Sequence, residues 1–228
     1  MSRPRVSVLV PVRNEEPFLA ECFESLSAQT LSDFEVIVVD DGSTDASAAI
    51  AEDHAHGDSR FRLVRQEAAG MVAASERARA EARAPLVARM DADDLALPKR
   101  LELQVAAIEE EGLAAVGGRV EYFPEPTDGM RSYAGWLNSL VTVDAALHDL
   151  WVECPLPGPG LTARADLVSY RDQGWPGRIL SFLAGPSNTS YEDIIRHNSI
   201  TQEEIGALML LAGLTLVSLV AVLTWMIA

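Results

Sequence analysis

Four short apolar runs punctuate the first 90 residues, and helical patterns fill the gaps between them. Val6–Val12 stops at the polar turn Arg13-Asn14-Glu15-Glu16. Phe34–Val39 stops at Asp40-Asp41-Gly42-Ser43-Thr44-Asp45, Phe61–Val64 is a third run, and Pro85–Met90 stops at Asp91-Ala92-Asp93-Asp94. Apolar runs this short, rich in valine and without polar alternation, read as strands buried on both faces. Pro17 opens a helical pattern in which Phe18, Cys22 and Leu26 share a face that Leu19 and Phe23 widen. Ala46–Ala55 and Met71–Ala82 read as helices, and Pro98 opens another with Leu101, Val105 and Ile108 on one side. Strands alternating with helices predict an α/β fold of Rossmann type, a mostly parallel sheet flanked by helices. Sheets of that kind bind ligands beyond the carboxyl ends of their strands, where three of the polar clusters stand. Neither G-x-G-x-x-G nor a Walker lysine motif is present, which removes the dinucleotide and P-loop versions of the architecture.

Charge decides what such a site can hold. With 34 acidic against 18 basic side chains the formal charge is −16, so sequence-independent binding to nucleic acid is excluded. An anionic ligand would need a cation between itself and the protein. The pair Asp91-Ala92-Asp93 suits a hard divalent ion, Mg²⁺ or Mn²⁺, which takes a few carboxylate oxygens and keeps other positions for water and phosphate. Asp93 is the expected metal contact, and Asp91 reaches the metal, a metal-bound water or a ribose hydroxyl. Such an ion also stabilises charge on a departing phosphate oxygen. The bland alternative is a solvated loop in which Asp94 caps the next helix. Asp41 can accept the imide hydrogen of uracil or an analogous base, with Ser43 or Thr44 capping the helix after it. Asp40 is expected to secure the turn, and Arg13 and Glu15 to frame the same nucleotide.

Taken together, Val8-Leu9-Val10-Pro11-Val12-Arg13-Asn14-Glu15, Val38-Val39-Asp40-Asp41-Gly42-Ser43-Thr44-Asp45 and Met90-Asp91-Ala92-Asp93-Asp94 closely resemble the family 2 glycosyltransferases. Leu97-Pro98-Lys99-Arg100-Leu101 and Val116-Gly117-Gly118-Arg119 are similar to that family too, and the likeness runs from about residue 5 to 176. The resemblance implies an inverting enzyme of GT-A fold that moves a sugar from a nucleotide-diphospho-sugar, UDP-linked by expectation, to an acceptor hydroxyl. It implies that Pro11, Arg13, Glu15, Asp41 and Asp91 line the nucleotide and that Asp91 and Asp93 form the metal-binding D-x-D. The sequence also departs from the pattern. Glu76 stands where members often carry Asn, and Gly158-Pro159 where they often carry His-Pro. The acceptor motif Gly174-Trp175-Pro176 is followed by Gly177-Arg178, not by the usual Glu-Asp whose carboxylate is the general base. Glu192-Asp193 appears sixteen positions after Pro176 and makes Asp193 the first candidate for that base, with Asp172 and Glu153 behind it. The remaining alternative is that no base is present, leaving a catalytically impaired nucleotide-sugar-binding or scaffold protein.

Residues 1–122 are therefore expected to form the nucleotide-sugar-binding half and 123–176 a less regular acceptor-facing half, holding Trp136, Trp151 and Trp175. Residues 177–204 read as a linker. The 24 residues 205–228 carry no charge and would make a helix of about 36 Å, enough to cross a bilayer. No secretory signal follows the basic start Met1–Arg5, and Cys22 and Cys154 match no zinc or redox spacing. The expectation is a single-pass membrane protein with its catalytic domain cytoplasmic, acting on a saccharide or lipid-linked acceptor.

Overall fold

The computed structural model describes residues 3–141 and 161–168, which belong to the first of two compact units, Met1–Leu183. Strands β1 (Val6–Val12), β2 (Phe34–Asp41), β3 (Phe61–Gln66) and β4 (Leu86–Arg89) alternate with helices α1 (Leu19–Ser27), α2 (Ser47–Gly57), α3 (Met71–Glu81) and α4 (Arg100–Glu111). Then follow β5 (Ala115–Val116), α5 (Asp128–Ser139), β6 (Thr162–Arg164) and a 3₁₀ turn at Ala165–Leu167. The sheet order is β3-β2-β1-β4-β6-β5. The first four strands pair in parallel, while β6 runs antiparallel to both β4 and β5. The mostly parallel α/β sheet is thus present, with an antiparallel addition on one side.

Burial explains why the strands lack alternation. Every residue of β2 is buried. On one face Val6, Val8 and Val10 pack with Leu19, Phe23 and Leu26 of α1 and with Leu101, Val105 and Ile108 of α4. On the other face Leu9, Ile37, Val39 and Val87 pack with Ala74 and Ala78 of α3. Each fully buried Val, Leu or Phe contributes roughly 1.5–3 kcal/mol, so the apolar runs are what the sheet requires rather than a departure from strand patterning. The small side chains of α3 bring its backbone close to β1 and β2, which accounts for an alanine-rich helix with little amphipathic character.

Chain order places the ligand edge. From β1 the chain steps outward through β2 to β3, then returns to β4 on the other side of β1. The carboxyl ends of β1 and β4 therefore flank the point where strand order reverses, the crevice that open α/β sheets use for ligands. Pairing of β1 with β4 ends at Leu9. Pro11 lies beyond it, where β1 has a paired neighbour only in β2, and a proline without an N–H is tolerated at such a place.

The stretch expected to be irregular, 123–176, holds α5 and β6 among its described residues. Thr127 caps α5, its hydroxyl accepting the Met130 N–H at 3.3 Å. Among the described residues no helix is long and apolar enough to cross a membrane. The expected linker 177–204 and span 205–228 lie outside them.

Candidate active site

The loops after β1 and β2 are stitched together by Asn14. Its backbone is left-handed, φ 58°, a conformation Asn tolerates better than most side chains. In that pose its N–H donates to Ser43 Oγ at 3.0 Å and its Oδ1 accepts the Thr44 N–H at 2.8 Å. Ser43 and Thr44 are thereby used up and do not cap α2, contrary to expectation. Two carboxylates serve the helix start: Asp45 Oδ1 accepts from Ser47 N at 3.0 Å and Glu16 Oε2 from Ala46 N at 3.1 Å. Asp40 secures the turn as expected, accepting the Ser43 N–H at 3.2 Å.

Asp41, 2% exposed, is held on every side. Its Oδ1 accepts from Gln66 Nε2 at 2.7 Å and from Ala69 N at 2.8 Å, its Oδ2 accepts from Gly70 N at 2.8 Å, and Arg13 Nη1 stands 3.8 Å away. Burial pushes this carboxyl up, but the hydrogen bonds and Arg13 outweigh it and hold Asp41 below the usual range. Asp41 thus fixes the loop between β3 and α3. Gly42 is the second part of that lock: its φ is +69°, and a Cβ there would sit 2.9 Å from the Ala68 nitrogen. Gly42→Ala is expected to cost about 1–3 kcal/mol in thermal unfolding, because strain and a backbone clash fall on one position.

The acidic run after β4 is unevenly committed. Arg89 donates to Asp91 Oδ1 from Nε and Nη2, both at 3.0 Å. Asp93 is exposed and makes no ion pair or hydrogen bond among the described residues. Asp94 is half-buried, and burial together with Asp93 and Asp91 raises its carboxyl to about 6. It does not cap α4, which begins at Arg100 with no side-chain cap; its own N–H donates to the Asp91 carbonyl at 3.2 Å and closes the turn. Glu15 is also raised, by burial and then by Asp93, Asp45 and Asp91, so the β1 loop shares the field of the β4 loop. Behind the run stands Arg100, donating to the Arg89 carbonyl at 2.7 Å, Met90 Sδ at 3.1 Å and Gln104 Oε1 at 3.2 Å. Burial lowers its guanidinium to about 10, with Asp94 opposing that shift.

The structure therefore brings Arg13 to Asp41, and Glu15 into the field of Asp91, Asp93 and Asp94, at the reversal point of the sheet. Among the described residues no three carboxylate, histidine or cysteine side chains converge as a ready-made metal cage. The donor set nonetheless fits a hard divalent ion that keeps most of its positions for phosphate and water: an uncommitted Asp93, a neighbouring Asp91, and a negative field strong enough to raise Glu15 and Asp94. The general-base candidates Asp193, Asp172 and Glu153 lie outside the described residues. Sequence reasoning passed over Arg89, Arg100 and Gln66. The signal for Arg100 was its place one residue before Leu101 on a buried helix face; Arg89 and Gln66 end strands and looked like ordinary surface termini.

Comparison with known proteins bears on the same residues. The profile described as "Glycosyl transferase family 2" matches residues 7–157. The glycosyltransferase EpsJ of Bacillus subtilis is 40% identical over 114 residues, covering 50% of this chain and 33% of EpsJ. EpsH, a putative glycosyltransferase of the same organism, is 42% identical over 102 residues, covering 45% of this chain and 30% of EpsH. The chain thus spans about a third of the length of these relatives. Among solved structures, S. aureus TarS in complex with UDP-GlcNAc superposes with a TM-score of 0.55 at 23% identity, covering 72% of this chain and 46% of that one, a likeness of fold. With its profile match spanning β1 to beyond α5, and its strand-end motifs standing where the sheet reverses, the chain belongs to glycosyl transferase family 2.

Proposed function

We propose that this protein is an inverting glycosyltransferase that transfers a sugar from a nucleotide-diphospho-sugar, UDP-linked in the first instance, to an acceptor hydroxyl. The observation that carries the reading is the meeting of the β1, β2 and β4 loops, with Arg13, Glu15, Asp41, Asp91 and Asp93, at the reversal point of a family 2 sheet. The acceptor oxygen bonds to the anomeric carbon as the bond from that carbon to the phosphate oxygen breaks, and the nucleoside diphosphate leaves. The acceptor proton passes to a carboxylate, for which Asp193 is the first candidate and Asp172 and Glu153 the others. Arg13 and Glu15 frame the nucleotide beside Pro11. Asp93 with Asp91 would hold Mg²⁺ or Mn²⁺, which when bound offsets charge on the phosphate oxygens. Arg100 keeps the β4 loop in place through the Arg89 carbonyl.

A second reading is favoured by one observation, Gly177-Arg178 in place of Glu-Asp after Pro176: a protein that binds nucleotide sugars but transfers poorly. Loss of a general base lowers transfer by about 10²–10⁴-fold. Both readings are tested by incubating the full chain with a panel of nucleotide sugars and Mn²⁺ and measuring release of nucleoside diphosphate. Release from a UDP-sugar that rises with added saccharide or lipid-linked acceptor supports the enzyme. Tight UDP binding with release only at a hydrolytic trickle supports the second reading, and neither binding nor release removes both. Residues 205–228, uncharged throughout, are part of the same proposal as a membrane span holding the α/β domain on the cytoplasmic side.

A further inference from the structure

The contact between Asp41 and Gln66 gives a role to a residue outside every motif quoted above; the inference rests on the nucleotide-sugar reading of the site. An ionised carboxylate only accepts hydrogen bonds, so the Gln66 atom 2.7 Å from Asp41 Oδ1 is the amide nitrogen and not the oxygen. A glutamine amide in the open can turn over and exchange its donor with its acceptor. Here that turn would set Oε1 against a carboxylate which Ala69 N and Gly70 N hold in place. The amide has a fixed sense. Its carbonyl oxygen and second N–H have no other partner among the described residues, and Gln66 is only half-buried.

Gln66 ends β3, in register with Asp41 at the end of β2. It lies on the outer side of the site, two strands away from β1 and three from the acidic run after β4. A nucleotide with its phosphates at Asp91 and Asp93 therefore extends its base toward the β2–β3 end. Met71, 62% exposed at the start of α3, adds apolar surface directly after Gly70. Asp41 cannot itself be the first contact for the base without giving up a bond, because both its oxygens already accept backbone N–H groups.

We propose that Gln66 reads the nucleobase, with Asp41 as the residue that positions it. Oε1 accepts a ring N–H and the free N–H donates to the adjacent exocyclic oxygen, the lactam edge of uracil or guanine. Cytosine and adenine present the reverse, a ring nitrogen lone pair facing Oε1 and an amino group facing the N–H, and a glutamine that cannot turn over leaves all four groups unpaired.

The test is calorimetric titration of the full chain with UDP, GDP, CDP and ADP in the presence of Mn²⁺. The wild type is expected to bind UDP or GDP at least about tenfold more tightly than CDP and ADP. Gln66→Met should bring the four within about twofold of one another by weakening the favoured nucleotide alone; unchanged CDP and ADP binding shows that the variant is folded. Asp41→Asn offers Gln66 a donor as well as an acceptor, so the amide can turn over and CDP should gain on UDP. A purely structural role for Asp41 would weaken all four alike. Gln66→Met with the wild-type preference intact overturns the inference, and so does a wild type that favours CDP or ADP, while both leave the nucleotide-sugar reading standing. A wild type that binds none of the four removes that reading and this one together. If Gln66→Met binds none, Asp41→Asn decides: equal weakening across the panel overturns the inference, and a gain of CDP on UDP supports it.

Discussion

Replacing Asp93 with alanine is expected to lower nucleotide-sugar turnover by about 10²–10³-fold while leaving the domain folded. The two halves of that expectation come from one fact, that Asp93 is exposed and uncommitted among the described residues. Nothing is orphaned by its removal, so the change in stability should stay within about 0.5 kcal/mol. Loss of a like charge also brings the Asp94 carboxyl down from about 6, a relief rather than a cost to the folded state near neutral pH. Asp91→Ala behaves differently, because it strips Arg89 of its carboxylate partner and disturbs the end of β4. The discriminating measurement is UDP binding with and without Mn²⁺. Wild type should bind much more tightly with the ion, since a chain of formal charge −16 otherwise repels a diphosphate. Asp93→Ala should bind weakly and equally in both conditions. A variant that keeps the wild-type response to Mn²⁺ would show that the ion is held elsewhere.

Why these carboxylates could be singled out before the fold was known, and others could not, has a physical basis. Val6–Val12 and Phe34–Asp41 are buried on both faces, so their apolar content is continuous and their polar ends are abrupt. That abruptness marks the carboxyl edge of the sheet and exposes Arg13, Asp41 and Asp91–Asp94 to a reader of sequence. Helix α5 was hidden because Pro124, Pro126, Gly129 and Gly135 surround or interrupt it, although Thr127 and the spacing of Met130, Tyr133 and Leu137 carried the signal. Strand β6 is three residues long, too short for any period, and owes its existence to the free edge of β4. The polar locks depend on partners far apart in sequence. Ser43 bonds Asn14 and not the helix that follows it, Asp41 bonds the loop 67–70, and Arg100 bonds the end of β4, none of which local pattern can disclose.

Glu35 is the most consequential of those hidden locks for stability. It enters β2 opposite Ser7 of β1, at the amino end of the sheet and away from the site. Its carboxylate accepts from Ser7 Oγ at 2.7 Å, from the Arg83 N–H at 2.8 Å and from the Arg83 guanidinium at 2.8 and 2.6 Å, while Ser7 Oγ in turn accepts the Ala84 N–H at 3.1 Å. Burial works to raise this carboxyl, and Arg83 and Ser7 more than reverse that, holding it below the usual range. Arg83 is largely exposed, so its attraction is screened, and the larger cost of losing Glu35 falls on the buried Ser7 hydroxyl and the Arg83 N–H. Glu35→Ala is expected to destabilise the domain by about 2–4 kcal/mol, read as a fall in thermal midpoint of roughly 5–15 °C. Because the folded carboxyl titrates below the unfolded one, its contribution is complete above the unfolded value of about 4.3 and is lost as pH falls through the folded value. The difference between wild type and Glu35→Ala in denaturant melts should therefore be full at pH 7 and shrink steadily below about pH 4. A gap that stays constant to pH 3 would mean that packing around residue 35, rather than its charge, holds the amino end of β1 against β2 and the start of β4.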